Sequence, residues 1–332
     1  MDMPLKLLFF YVSAVFMAVF LAICVLIIAT TDEYPVIVRS KKEKRFVDPV
    51  SGEEILFASI TDTPTKKLSV VVPAYNEESR LPPMLEECVE FLESRSQQNG
   101  FTYEVIVVSD GSTDGTVKVA NEWCRKLGVD KLRVLELETN RGKGGAVRLG
   151  VQSARGSVIL FADADGATKF SDLSKLEQAL SEKIGVDYVK DDVAGLLGLA
   201  VGSRAHLEKE SVAQRTLFRT VLMYGFHFLV WLFTVRGIKD TQCGFKLFTR
   251  ETARLCFDSL HVERWAFDVE LLWIAQNLDI PIIEVAVNWT EVDGSKLTPF
   301  WSSVQMGKDL ALIWLRYMIG AWKIKDEKIK ID

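Results

Sequence analysis

The sequence predicts an α/β fold: a Rossmann-like, mostly parallel sheet with flanking helices, set behind an N-terminal transmembrane helix. Three observations predict it. Short apolar runs, each stopped by Gly, Pro or a polar cluster, alternate with stretches of helical composition between residues 68 and 162. Strand–helix–strand alternation gives a parallel sheet with right-handed crossovers. An uncharged stretch at 7–29, about 23 residues at about 1.5 Å each, can cross a hydrocarbon core of about 30 Å. The run SVILFA at 157–162 ends in Asp163, Ala164 and Asp165, which sets two carboxylates at the C-terminal end of a buried strand, where open α/β sheets bind ligands.

Taken in order, residues 1–30 form the anchor. A cleaved signal peptide is the alternative, but such apolar cores are about 7 to 15 residues and end in a small-residue cleavage site. On its N-terminal side only Lys6 is positively charged, whereas Arg39, Lys41, Lys42, Lys44 and Arg45 follow it. The positive-inside rule then orients the large C-terminal part to the cytoplasm. Residues 31–67 turn polar, with Pro35, Pro49, Gly52 and Pro64 breaking any long period, and read as a linker or collar without a catalytic signal. The catalytic domain is expected over 68–300, including a membrane-interface helix near 213–236. Residues 301–332 are expected to add an interfacial helix and a charged tail.

Within that domain LSVVV at 68–72 is a buried strand stopped by Pro73, and a helix is expected over about 82–97 with Pro near its first turn. YEVIVV at 103–108 is a second strand, followed by a helix to about 127, a third strand at 132–137 and a helix beginning near Gly144. The strand ends bring Asn76, Glu77, Asp110, Asp114, Asp163 and Asp165 toward one crevice. NRGKGG at 140–145 puts Arg141 and Lys143 among glycines ahead of a helix, a place for phosphate oxygens. It is not a Walker A loop, because no Ser or Thr follows Lys143 at the required spacing. Its plainer reading is a glycine-rich turn with a solvated basic face.

Adjacent carboxylates repel unless a cation or donors compensate, and hard oxygen ligands suit Mg2+ or Mn2+ on a nucleotide diphosphate. D-x-D also occurs in ordinary turns and caps, and a phosphatase of the haloacid dehalogenase type places it after an apolar strand with the first Asp as nucleophile. That alternative gives no role to residues 73–78 and 110–114. With 332 residues, 48% of them hydrophobic, the chain can bury a sizeable core. A net charge of -5 gives no reason to expect nucleic acid. Cys24, Cys88, Cys124, Cys243 and Cys256 are scattered without a C-x-x-C pair, which argues against a zinc site or a disulfide framework.

VVVPAYNEE at 70–78, VVSDGSTD at 107–114, NRGKGG at 140–145 and FADADG at 161–166 come in order, each after an apolar strand. Together they resemble glycosyltransferase family 2, inverting enzymes with the GT-A fold. The resemblance continues through VGSRAHLEK at 201–209, KDTQCGFKLFTR at 239–250, HVERWAFDVE at 261–270 and NWTEVDGSKL at 288–297. This second set is similar to the branch of the family that moves glucose from UDP-glucose to dolichyl phosphate at the endoplasmic reticulum membrane. The resemblance implies that Pro73, Tyr75, Glu77 and Asp110 bind the uridine part, with Lys143 also on the donor. It implies that Asp163 and Asp165 hold Mg2+ or Mn2+ on the diphosphate, and that Asp165 and Asp240 serve catalysis, with Asp240 near the sugar and acceptor. Arg204, Arg215, Arg219, Ser295 and Lys296 are its candidates for the acceptor phosphate. Ser109 stands where the family more often has a second acid, so no contact is carried over to it.

Alternatives remain open beside this reading. Arg215 and Arg219 suit either a phosphate, through the guanidinium fork, or lipid headgroups, by snorkelling. The apolar stretches at 217–235 and 304–322 read as membrane spans, buried core helices or helices at the membrane surface, and a lipid-borne acceptor favours the surface. Glu263, Asp268 and Glu270 are either an acceptor-site base or the polar face of a helix. Transfer of mannose from GDP-mannose to the same lipid is the near rival. A processive polysaccharide synthase should carry several clear spans after its catalytic domain. A non-catalytic membrane scaffold should not need Asp163, Asp165 and Asp240 together.

Overall fold

The computed structural model describes residues 3–97, 100–193, 195–207, 235, 237–292 and 299–325, with side chains from residue 7 onward except those of 299–304. Helix α1 (Met3–Thr30) carries the N-terminal apolar stretch. Its large side chains, Phe9, Phe16 and Leu26 among them, are exposed rather than packed on protein. Among the described residues it is the one helix long and apolar enough to span a bilayer.

The collar is more ordered than a linker reading suggests. Strands β1 (Arg45–Val47) and β2 (Glu54–Leu56) pair antiparallel as a small hairpin. Phe46 is buried there beside Phe57, at 5.0 Å between ring centroids, and the Arg133 guanidinium lies over both rings. Hydrophobic and cation–π contact therefore holds the hairpin on the catalytic domain.

The main sheet is built from β3 (Lys66–Ala74), β4 (Tyr103–Ser109), β5 (Leu132–Glu136), β6 (Gly156–Ala162), β7 (Leu199–Ser203), β8 (Phe245–Thr249) and β9 (Ile282–Ala286). Their spatial order is β5-β4-β3-β6-β8-β7-β9. Strand β8 runs antiparallel to both neighbours and the other pairings are parallel. Buried on both faces, the central strands read as continuous apolar runs. Leu68, Val70 and Val72 of β3, Val105 and Val107 of β4, and Val158 and Leu160 of β6 fill one core layer. The intervening Val71, Ile106, Val108, Ile159 and Phe161 fill the other. At about 1.5–3 kcal/mol per buried Val, Leu, Ile or Phe, a one-residue slip in β3 would misplace the contacts of both layers.

Helices α2 (Leu81–Ser96), α3 (Thr116–Leu127) and α5 (Leu173–Ile184) pack on the first layer, their buried Leu85, Ala120 and Leu176 entering it. Helices α4 (Lys143–Gln152), α6 (Arg250–Ser259) and α7 (Phe267–Asn277) pack on the second. The expected helix starts and ends shift by about a residue, since Leu81 precedes the Pro pair and Lys143 precedes the glycines.

Helix α8 (Pro299–Met318) covers the stretch for which three environments were open. Met306, Leu310 and Ile313 are buried and Met318 is exposed, so one face of α8 is packed on protein. The charged tail begins docked, with Lys323 donating from its backbone N–H to the Glu33 carbonyl (2.8 Å) and from Nζ to Glu33 Oε1 (2.9 Å). The stretch at 217–235, apart from Val235, and the candidates Arg215, Arg219, Ser295 and Lys296 lie outside the described residues.

Candidate active site at the C-terminal edge of the sheet

Strands β3, β4, β5 and β6 all end on one edge, and their following loops hold each other. Beyond β3, Asn76 adopts a positive φ of 53°, a conformation that Asn tolerates better than most residues. Its backbone N–H donates to Ser112 Oγ (3.1 Å) and its Oδ1 accepts from Thr113 N–H (2.8 Å). Asp114 accepts from the Thr116 and Glu78 amides (3.0 and 3.1 Å), which ties the loop after β4 both to the first residue of α3 and to the loop after β3. The Glu77 carboxylate takes a two-pronged bond from Arg80, with Nε and Nη2 each at 2.6 Å. Tyr75 leaves 39% of its surface exposed beside this loop, and Pro73 is half-buried at the end of β3.

Asp110 is buried after β4, and its two oxygens accept the backbone N–H groups of Arg141 (2.7 Å) and Gly142 (2.9 Å). Burial raises its pKa against those hydrogen bonds. Gly142 has φ +86°, and a side chain there would meet the Glu263 carbonyl at 2.8 Å. The glycine therefore admits both the turn and the 261–264 segment lying over it.

Asp163 and Asp165 sit beyond β6. Lys143 Nζ reaches Asp163 Oδ1 at 2.6 Å, and the Asp163 N–H donates to the Gly244 carbonyl at 3.1 Å. A Cβ on Gly244 would fall 2.0 Å from Asp163 Oδ2, so only glycine lets the start of β8 approach the acid this closely. Asp165 Oδ1 accepts the Ala167 N–H at 3.0 Å. Burial, then the like charge of Asp163, raises the Asp165 carboxyl above its ordinary pKa. Burial works against the Lys143 ammonium, but Asp163 and the buried Asp268 outweigh it and raise its pKa. Lys143 thus pairs directly with the first acid, while the second stays raised despite the charges of Lys143 and Arg80.

Asp240 reaches the same edge from the loop ahead of β8. Arg204, just past β7, donates to it from Nε (2.7 Å), Nη2 (2.9 Å) and the backbone N–H (2.8 Å). Burial works the other way, but these bonds and the guanidinium charge hold Asp240 below the usual carboxylate range. Arg204 also lies over the Trp289 ring at 5.4 Å. Of the residues expected at an acceptor phosphate, Arg204 is the described one, and its fork is engaged by Asp240.

Two of the three acids of the 261–270 segment, Asp268 and Glu270, are buried. Asp268 pairs with Lys246 Nζ at 2.5 Å in a fully buried position. Glu270 accepts from His261 N–H (3.0 Å), Val262 N–H (2.6 Å) and the Tyr317 hydroxyl (2.8 Å). Glu263 pairs with Arg148. Asp268 and Glu270 are enclosed, each tied to partners within the fold, although burial still raises Asp268 against the Lys246 charge. The Lys246–Asp268 pair behind Asp163, and Arg80 on Glu77, carry no spacing signature, because strand and helix residues far apart in sequence form the first and a plain i,i+3 pair forms the second.

Residues 69–251 match the family model described as glycosyl transferase family 2. The chain belongs to glycosyltransferase family 2. It is similar to the dolichyl-phosphate beta-glucosyltransferase of Drosophila melanogaster, with 60% identity over 95% of each chain. It is also similar to the enzyme of the same name from Homo sapiens, with 56% identity over 95% of each. Among solved structures it is similar to glucosyl-3-phosphoglycerate synthase from Mycobacterium tuberculosis in complex with Mn2+, UDP-glucose and phosphoglyceric acid. That likeness has 17% identity, a TM-score of 0.49, and covers 79% of this chain and 82% of the other. As a family 2 chain it carries Asp163 and Asp165 at the end of a central parallel strand, on the edge shared by Asp110, Lys143 and Asp240.

Proposed function

We propose that this chain transfers glucose from UDP-glucose to dolichyl phosphate with inversion, giving dolichyl β-D-glucosyl phosphate for lipid-linked oligosaccharide assembly in protein N-glycosylation. The observation that carries this reading is identity of 56–60% over 95% of the chain to dolichyl-phosphate beta-glucosyltransferases. We place it at the endoplasmic reticulum membrane, held by α1, with the catalytic domain on the cytoplasmic face. A glycan found on Asn288, within its Asn-Trp-Thr triplet, would overturn that orientation.

Tyr75 offers a face to the uridine, and Pro73 shapes the turn that presents it. Glu77 and Asp110 accept from the nucleoside through the lone pairs that their present bonds leave. The incompletely neutralised Asp163 and Asp165 are a suitable donor set for Mg2+ or Mn2+. No group of three or more His, Cys, Asp or Glu side chains that could hold a metal occurs among the described residues. Asp163 and Asp165 would hold such an ion through hard carboxylate oxygens. When bound, such an ion supplies Lewis-acid stabilisation of the charge on departing UDP. Lys143, already against Asp163, adds a second positive charge at the diphosphate.

A phosphate oxygen of the lipid attacks the anomeric carbon as the bond from that carbon to the UDP oxygen breaks, and UDP leaves with the electron pair. With a second phosphate pKa of about 6 the nucleophile is already largely ionised, so no strong base is required. Asp240, locked ionised against Arg204, orients the sugar or the acceptor, and orientation alone lowers such barriers substantially. Arg215, Arg219, Ser295 and Lys296 stay proposed contacts for the acceptor phosphate. Helix α8 and the 213–236 stretch are proposed to meet the bilayer surface.

The test is transfer of labelled sugar to dolichyl phosphate by purified full-length protein, comparing UDP-glucose with GDP-mannose, each with and without EDTA. Glucosyl lipid from UDP-glucose alone, abolished by EDTA, is the expected result. Mannosyl lipid would replace the donor, and no lipid product would overturn the reading.

A further inference from the structure

The collar carries a buried acid that a linker does not need. Glu43 is 1% exposed, and a buried carboxylate is tolerated only when its charge and lone pairs are met. Its partners come from two places. From the collar itself, the Ser40 N–H donates to Oε2 at 3.0 Å, and the Glu43 N–H returns a bond to Ser40 Oγ at 3.2 Å. From the loop between β5 and α4, the Glu138 N–H donates to Oε1 at 3.3 Å and Arg141 Nη2 to Oε2 at 2.7 Å. The other guanidinium nitrogen of Arg141, Nη1, donates to the Val38 carbonyl at 2.7 Å.

Both prongs of Arg141 are therefore spent on residues 38–43, on the collar and not on the crevice. The glycine-rich loop offered two cations for phosphate, and the structure divides them: Arg141 faces the collar while Lys143, two residues on, faces Asp163. Between them the backbone N–H groups of Arg141 and Gly142 close on Asp110. The side chain of Arg141 thus pulls one way and its own amide the other, which fixes the 138–142 backbone from both sides. We propose that Glu43 is a positioning residue for the donor loop, holding Arg141 so that Asp110 and Lys143 meet the nucleoside diphosphate in one geometry. This rests on the reading of the crevice as a UDP-glucose site.

The carboxylate is needed for its charge as well as its shape. Glutamine at 43 still accepts one bond but cannot neutralise Arg141, which keeps a 17% exposed side chain and can turn to water. The fold is therefore expected to survive Glu43→Gln while the loop loosens.

The experiment uses full-length protein in detergent, with Glu43→Gln, Arg141→Met, the double variant, and Arg141→Lys as a charge-keeping alternative that loses the fork. The expected result is a rise in KM for UDP-glucose of about ten-fold for Glu43→Gln, with kcat and the KM for dolichyl phosphate moved less than about two-fold. The double variant should be no worse than either single one, because the two residues act as one contact. Hydrogen exchange at the amides of 138–142 should quicken in Glu43→Gln whether or not the protein proves to be a glucosyltransferase. If those amides stay protected, or if UDP-glucose KM is unchanged while wild-type transfer is intact, the proposal is overturned and the function stands. Additive losses in the double variant would also overturn it, and so would losses that follow the melting temperature alone.

Discussion

The same parallel strands carry a cluster of buried charge at each end, and the two clusters are neutralised to different degrees. At the N-terminal end Glu104, fully buried on β4, accepts from Ser69 Oγ (2.6 Å), the Arg155 N–H and Nε (2.7 Å each), and Arg133. Burial alone would raise its pKa, but Arg133 and Arg155 overcome this and hold it below the ordinary value. At the C-terminal end Asp165 is raised by burial and by its neighbour Asp163, against which Lys143, salt-bridged to Asp163, and the more distant Arg80 charge do not prevail. Two guanidiniums on one carboxylate make a cluster that is finished within the fold. One ammonium salt-bridged to the first of two neighbouring carboxylates is the arrangement on which the proposed metal site rests. Completeness of neutralisation, more than the presence of buried charge, separates Glu104 from Asp165.

The largest effect expected from breaking that contrast is on turnover. Asp165→Ala should lower kcat for glucosyl transfer by at least about a hundred-fold, the scale of deleting one electrostatic stabiliser of a transition state. Its melting temperature should not fall, since a poorly compensated charge is removed. A variant that kept wild-type turnover would remove Asp165 from the metal site. Glu104→Gln is the mirror experiment. It strands two guanidiniums at the opposite end and should cost about 3–5 kcal/mol of stability, read by denaturant unfolding, with the KM values of the folded fraction unchanged. Loss of donor affinity without loss of stability there would collapse the distinction between the ends.

Asp240→Asn tests the edge between these extremes. It keeps the shape but leaves Arg204 without its counter-charge, and a modest misplacement of the reacting groups predicts a fall in kcat of about ten- to a hundred-fold. Turnover near wild type would refute the positioning role. The smallest effect is a matter of sign. Asp240 has a depressed folded pKa, so its stability contribution is present above the unfolded value of about 3.9 and is lost as pH falls through the folded pKa. Asp165 has a raised folded pKa, so its ionisation costs stability as pH rises through that value and costs nothing below about 3.9. Asparagine at 240 should therefore destabilise near neutral pH and asparagine at 165 should stabilise there. Between pH 7 and pH 4 the difference at 165 should shrink while the difference at 240 persists and falls away only below about pH 3.9, as measured by melting temperature.

Much of this was legible in the chain. Apolar strands of Val, Ile and Phe ending in acids announce a parallel sheet and its binding edge, because strand burial and edge chemistry are both local properties. The partners of Asp240 and Glu43 were not legible, since Arg204 and Arg141 approach from segments that no spacing rule connects to them. The order of β8 and β7 was equally silent. An antiparallel strand inserted into a parallel sheet has the same apolar pattern as its neighbours, and its direction is set by the connection, not by its own residues. Glu43 sits in the polar stretch at 31–67 that reads as a linker or collar until the fold buries it.

That antiparallel strand has one more result. Because β8 runs against β7, the chain that leaves the crevice at Arg204 is back beside it at Asp240, 36 residues later, and the two ends are joined by a salt bridge. The excursion begins and finishes at one doorway, so its length and composition are uncoupled from the register of the sheet. That ion pair clasps the two ends of the excursion like a buckle, so the crevice rim is closed by Arg204 and Asp240 themselves.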